Sequence, residues 1–159
     1  MTSEPLNQYT DICKDAIKGS SAKLGKTFEN LVLEILLLYI VIQRKINFTQ
    51  MERYGTHCEQ TYRMNFNRGR AKCINWVKFN LALSRHYLNM DGLLAIAIDP
   101  SYISKSGKNT PHIGTFWSGC ASSMKHGLEI MGLALVDVYA NNCMMLRAHQ
   151  TPSTNDLKL

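Results

Sequence analysis

The strongest constraint on this chain is Leu93-Leu94-Ala95-Ile96-Ala97-Ile98, an unbroken apolar run that ends in Asp99 and Pro100. An apolar run this short, rich in Ile and opened by Asp91-Gly92, reads as a strand buried on both faces. Such a strand sits inside a sheet, with other elements covering it. Pro100 stops regular pairing. Asp99 then emerges at the carboxyl end of the strand, where open α/β sheets keep their ligands. A lone Asp there can hold Mg²⁺ with one fixed carboxylate and several waters. An Asp that caps a loop is the other reading.

The chain has 159 residues, enough for one ordinary domain or two small ones. With 45% hydrophobic and 19% charged residues, disorder is excluded as the general state. The net charge of +6 points towards a polyanion partner. Its distribution is more telling. Between Arg44 and Arg85 there are nine Lys or Arg residues against only Glu52 and Glu59, so this segment holds the whole excess. A solvated helical face explains many such runs, but a one-sided basic excess favours nucleic acid over other partners.

The five Cys stand at positions 13, 58, 73, 120 and 143, without C-x-x-C spacing. No His pair completes a zinc pattern. Reduced thiols, mostly in the core, are expected. The run 31–42 is apolar except for Glu34, and it is far shorter than the roughly 20 residues a membrane span needs. The first eleven residues lack the positive region of a signal peptide. The expectation is a buried core helix in a cytoplasmic, nucleoid-associated protein with no membrane partner.

Three regions emerge from the patterning. Residues 1–23 are polar and are expected to be poorly ordered or loosely helical. Residues 24–90 are helical. A helix over 26–44 closes on Arg44-Lys45, which suits the negative end of the helix dipole. A short helix over 49–54 is broken by Gly55, as a residue tolerant of positive φ. Thr56-x-x-Glu59 forms a capping box that opens a helix over 57–68, ended by Gly69. Short helix, glycine turn and capped helix is the layout of a helix-turn-helix. On the second helix Cys58, Tyr62 and Phe66 face the core. Gln60, Arg63 and Asn67 share another face, continued by Arg70, and these side chains can pair with base edges and phosphates. A polar helix face is the alternative. A last helix over 71–88 turns Ile74, Val77 and Leu81 inward, with Trp76 and Phe79 broadening the apolar face.

From position 91 the period becomes extended. Strands are expected over 93–98, 128–138 and 143–148. Tyr139-Ala140-Asn141-Asn142 supplies hairpin-turn chemistry, because Asn tolerates positive φ. The 101–126 connection is long for a hairpin, and such loops are usually functional or mobile. Its Lys105, Lys108, Lys125 and Trp117 suit phosphate contacts and base stacking. A surface loop, with Trp117 as a core plug, is the alternative. Glu129 and Asp137 share a strand face but lie roughly 26 Å apart along an extended strand, so they cannot share one metal.

Several stretches together resemble DDE-class insertion-sequence transposases. Asp99-Pro100-Ser101-Tyr102-Ile103-Ser104-Lys105-Ser106-Gly107-Lys108 is similar to that family's first catalytic block. So are Phe116-Trp117-Ser118-Gly119-Cys120 and the segment 127–137, and Gln150-Thr151-Pro152 looks like the end of the third strand in the same group. Asn47-Phe48, Arg53-Tyr54, Glu59-Gln60-x-Tyr62-Arg63 and Phe79-Asn80 look like its helical N-terminal part. The resemblance implies a ribonuclease-H-like core, two Mg²⁺ ions, and carboxylates in the order Asp, Asp, Glu. It makes Asp99 the first catalytic and metal-binding carboxylate. For a transposase, the double-stranded DNA that the helix face of Gln60, Arg63, Asn67 and Arg70 and the loop residues Lys105, Lys108 and Lys125 are expected to contact is that of transposon terminal inverted repeats.

The expected fold is therefore α+β. A helical, helix-turn-helix-like DNA-binding region (24–90) precedes the first three strands, an antiparallel meander, of a ribonuclease-H-like core (91–159). The second Asp and the Glu of the family pattern have no counterpart, so the sequence reads as a truncated transposase or a fragment of one, inactive alone. A non-catalytic DNA-binding regulator and a transposition inhibitor are the alternatives. The free edge of the first strand is expected to promote self-association.

Overall fold

The computed structural model describes residues 4–20, 23–67, 73–107 and 109–152, with the side chain of Asn67 excepted. It is α+β: five α-helices come first and an antiparallel sheet comes after them. The chain divides into two compact units, 1–86 and 87–159. The division falls a few residues before the expected boundary at Asp91-Gly92.

In the first unit, helix α1 spans Glu4–Gly19. The polar N-terminus is thus more regular than its composition implies. Cys13, Ala16 and Ile17 fall at i, i+3, i+4 and are buried, which is enough to dock the helix despite its polar remainder. Lys14–Asp11 and Lys18–Asp15 ion pairs line the outer face. Gly19 permits close approach, since a Cβ there would meet Ala82 Cβ at 2.8 Å.

Helix α2, Lys26–Val41, is the unit's central rod. Val32 and Leu33 join a core with Cys13, Ala16, Ile17, Ile74 and Phe79. Leu31 and Leu38 join a second core with Ile42, Met51 and Tyr62. Two cores on one helix account for its nearly continuous apolar sequence. It stops short of Arg44: Ile42 already leaves the helical region, its N–H held by the Leu38 carbonyl at 2.9 Å. Tyr39, Ile40 and Val41 are exposed, so the last turn departs from the buried helix expected. No described helix is long and apolar enough to cross a membrane.

Helix α3, Phe48–Tyr54, begins one residue before the expected start because Asn47 caps it, its Oδ1 accepting from the Gln50 N–H at 2.9 Å. Helix α4 spans Glu59–Asn67 and α5 spans Trp76–Ser84, the latter capped by Asn75. The expected capping box does not form. Thr56 Oγ1 donates to Glu34 on α2, and Glu59 accepts from Arg63 and Thr49. Nor does Gly55 use positive φ; it sits at −102°. A Cβ at Gly55 would collide with the Tyr62 hydroxyl, so space is what this position requires. On α4 only Tyr62 of the expected inward trio is buried; Cys58 and Phe66 are exposed. Among the thiols Cys13 alone is buried, which corrects the expectation of mostly core cysteines.

In the second unit, β1 (Leu94–Ser104), β2 (Gly114–Ser118), β3 (Ser123–Asp137) and β4 (Asn142–Gln150) form one sheet. Long β3 is central. One edge pairs with all of β1; the other pairs with β2 near its start and β4 along the rest. The 101–126 connection is therefore partly strand, since β1 continues to Ser104 and β2 lies within it. Asn141, at φ 51°, makes the β3–β4 turn as its side chain favours. Leu146 is an extra residue where the β4 register shifts opposite Leu133 and Ala134, and it is buried.

Two expectations for β1 fail. The run 93–98 is not covered on both faces: Ile96 is 57% and Ile98 63% exposed. The buried hydrophobic clusters lie within 1–86, and the described part of 87–159 contains no α-helix to lie on the sheet. An apolar run reports that a strand can be covered, and the covering layer has to come from elsewhere. The second failure is that Asp99 does not end its strand; it pairs with Gly132 in the middle of β1. Pro100 fits inside because β1 is an edge. The Val138 N–H donates to the Leu93 carbonyl at 3.1 Å. Alternation then turns the odd residues of β1 towards β3 and the even ones, Pro100 included, outwards. The missing N–H of Pro100 costs the β1–β3 ladder nothing.

Candidate nucleic-acid interface and carboxylate site

Six of the nine basic residues of 44–85 lie among the described residues of the first unit; Arg68, Arg70 and Lys72 lie outside them. Arg44 and Lys45 lie in the α2–α3 link, Arg53 on α3, Lys78 on α5 and Arg85 just beyond it, all exposed. Among the described residues no carboxylate forms an ion pair with any of the five.

Arg63 differs. Its guanidinium pairs with Glu59 one turn back and lies 5.0 Å from the centre of the Phe48 ring. Phe48 meets Phe66 edge-on, with ring centres 5.3 Å apart. Glu59 also accepts from Thr49 Oγ1 at 3.0 Å. These contacts lash α4 to α3, and they hold the Glu59 carboxyl below its usual range, chiefly through the Arg63 hydrogen bond. Gln60 is exposed beside this cluster on α4. Asn67 closes the helix, with its side chain outside the described residues, as are Arg70 and Lys108.

Asp99 is exposed, and its Oδ2 accepts from Ser101 Oγ at 3.2 Å on the same strand face. That face continues through Ala97, Gly132, Ala134 and Ala148, all small and uncharged. Glu129 and Asp137 pair with Tyr102 and Leu94, even residues of β1, and so face the opposite side. Lys105 and Lys125 are exposed near the far end of β1, roughly 20 Å along the strand from Asp99. The described sheet leaves both lysines well away from Asp99. Trp117, 58% exposed on β2, is no core plug.

One carboxylate with a neighbouring hydroxyl does not by itself fit a two-ion Mg²⁺ site. Among the described residues no group of three His, Cys, Asp or Glu side chains converges.

Asp137 has a different task. It is 2% exposed, and its carboxylate accepts the Ala140 N–H at 3.0 Å and the Asn89 N–H at 2.9 Å. These backbone donors hold its carboxyl below the usual range. It ties the β3–β4 turn to the chain entering β1.

The sequence reading missed a second carboxylate centre. Glu34 Oε1 accepts from the Thr56 N–H at 2.5 Å, Thr56 Oγ1 at 2.9 Å and the Tyr62 hydroxyl at 2.7 Å. Its Oε2 lies 2.7 Å from His57 Nδ1. Burial opposes ionisation of Glu34, but these four donors outweigh it and hold the carboxyl low. Burial, with Glu34 alongside, pushes the Tyr62 hydroxyl up to about 12. The available signal was Glu34 itself, the only charge within the apolar run 31–42. A charge placed there needs partners. A carboxylate so fully engaged organises the α2, α3 and α4 junction and is not available as a general base.

Comparison of the chain with protein-family models, with curated proteins and with solved structures found no match.

Proposed function

We propose that this chain binds double-stranded DNA as a transposase of the DDE class or a fragment of one, with transposon ends as its target. The observation that carries the DNA reading is the set of five exposed cations, Arg44, Lys45, Arg53, Lys78 and Arg85, without carboxylate partners among the described residues. Unpaired cations on a rigid helical unit neutralise phosphates and release counterions. In this reading α3 and α4 act as a helix-turn-helix, with Gln60 and Arg63 nearest the bases. Asp99 serves as the first Mg²⁺ ligand of a ribonuclease-H-like sheet, as the resemblance implies; the second Asp and the Glu of that pattern have no counterpart identified in this sequence.

The test is fluorescence anisotropy of a labelled duplex across a salt series, with the wild type and an Arg44→Glu, Lys45→Glu, Arg53→Glu variant. The wild type should lose affinity steeply as salt rises, and the variant should bind at least about tenfold more weakly. Salt-insensitive binding, or equal affinity for the variant, would remove DNA as the partner.

A second reading, a non-catalytic DNA-binding regulator, is favoured by the uncharged surroundings of Asp99. Nicking of supercoiled plasmid in Mg²⁺ tests for a complete site. Cleavage that disappears in Asp99→Asn supports an intact enzyme and overturns both the fragment and the regulator; binding without cleavage fits the fragment and the regulator alike, and only selective binding to transposon terminal repeats then favours the fragment.

A further inference from the structure

We infer that two copies of this chain join through β1, edge to edge and antiparallel, about a two-fold axis through Ile96. This goes beyond the DNA-binding reading and does not depend on it.

Among the described residues β1 pairs only with β3. The even residues Leu94, Ile96 and Ile98 therefore point their N–H and C=O groups outwards, with no charge, bulge or proline among them. Such an edge is a template for another strand. Their side chains line one face, where Ile96 and Ile98 are exposed. The opposite face of this stretch carries only Ala95 and Ala97, which do not obstruct an approaching strand.

The sequence of β1 selects a second copy and its register. In an antiparallel self-pairing the outward, even residues must meet one another. Setting Ile96 against Ile96 places Leu94 against Ile98 twice. All three outward residues of each copy are then bonded, and Pro100, which has no N–H to give, lies beyond the ladder. Sliding the copies until Asp99 faces Asp99 would oppose like charges directly and bring Pro100 into a bonded position. Centring on Ile98 would set Pro100 against Ile96. Centring on Ala95 would leave only Leu94 and Ile96 of each copy bonded within the strand. In the Ile96 register each Asp99 falls opposite Leu93 of the other copy, and the two carboxylates stay about 20 Å apart along the strands. The isologous pairing closes on itself and continues the sheet across both copies.

The test uses the full chain of 18.0 kDa in size-exclusion chromatography with light scattering. The wild type should run at twice this mass at micromolar concentration. Ile96→Lys and Ile96→Glu should each run as monomers, because each sets like charges opposite across the axis. Their equimolar mixture should recover the doubled mass, since Lys then faces Glu. A wild-type monomer overturns the inference, as does a dimer that survives Ile96→Lys, or a mixture of folded variants that stays monomeric. Should the variants fail to fold, amide hydrogen exchange on the wild type decides. The Leu94, Ile96 and Ile98 amides should gain protection with rising concentration, while the outward amides of Tyr102 and Ser104 should not. Equal behaviour of all five would refute the register.

Discussion

The hydroxyl of Tyr62 donates to Glu34 Oε1 at 2.7 Å, joining α4 to α2 across 28 positions of sequence. Tyr62 is wholly buried, and its partner is a carboxylate held in its charged form. A hydrogen bond to a charged group contributes about 1.5–3 kcal/mol. Tyr62→Phe should therefore lower the stability of the helical unit by about that much. Denaturant unfolding followed by circular dichroism measures it; an unchanged midpoint would show that Thr56 and His57 suffice for Glu34.

Gly55 offers a sharper version of the same test. A Cβ there would strike the Tyr62 hydroxyl and lie 2.7 Å from the Met51 carbonyl. Gly55→Ala should cost about 1–3 kcal/mol through overpacking. In a Tyr62→Phe background the cost should shrink, because one colliding atom is gone. A double-mutant cycle with no coupling would disprove the steric account.

Asp137 predicts a pH dependence. Its folded carboxyl titrates below the usual range, mainly because the Ala140 and Asn89 N–H groups favour the anion. The stability it contributes is therefore full above the unfolded value of about 3.9 and is lost as pH falls through the lower folded value. Glu34 acts in the same direction. Asp137→Asn should flatten the acid limb of stability against pH for the sheet, measured by the fluorescence of Trp117 in a Trp76→Phe background. An acid limb as steep as the wild type's would assign the effect to other groups.

Arg63 is expected to affect two readouts modestly. Its exposed ion pair and ring contact support the α3–α4 junction only weakly, since solvent screens the pair. If it also meets a phosphate, Arg63→Ala should weaken all duplexes alike and reduce the salt slope by about one. Selective loss on one sequence would instead mean base reading.

Much of this architecture was legible in the residues. The change from helical to extended period near Asp91-Gly92 separates the two units. Glycine and asparagine placed the α3–α4 break and the β3–β4 turn. Most failures turned on contacts that the local pattern does not encode. Thr56 and Glu59 matched a local capping box, but Glu34, Thr49 and Arg63 took their hydrogen bonds. The polar sequence of 1–23 hid three apolar residues at helical spacing. The run 93–98 gave the strand correctly and its cover wrongly, because periodicity reports the side chains a strand offers and carries no information about what lies over them. Of the candidate site, Asp99 was placed on the right strand but at its end rather than its middle. Glu34 was read only as an obstacle to membrane insertion.

The sheet's connectivity fixes an order of assembly. The β3–β4 hairpin closes through a short turn at Tyr139-Ala140-Asn141, and hairpins of this kind form in about 1–10 μs. Strand β1 instead must find β3 across the chain that carries β2, with Leu94 meeting Asp137 and Ser104 meeting Gly127. Such non-local closure is slow. The apolar strand is therefore expected to dock last as the chain folds, with its vulnerability to capture by another chain greatest during refolding. Dilute refolding should recover more native protein than concentrated refolding, because docking is unimolecular and capture is not.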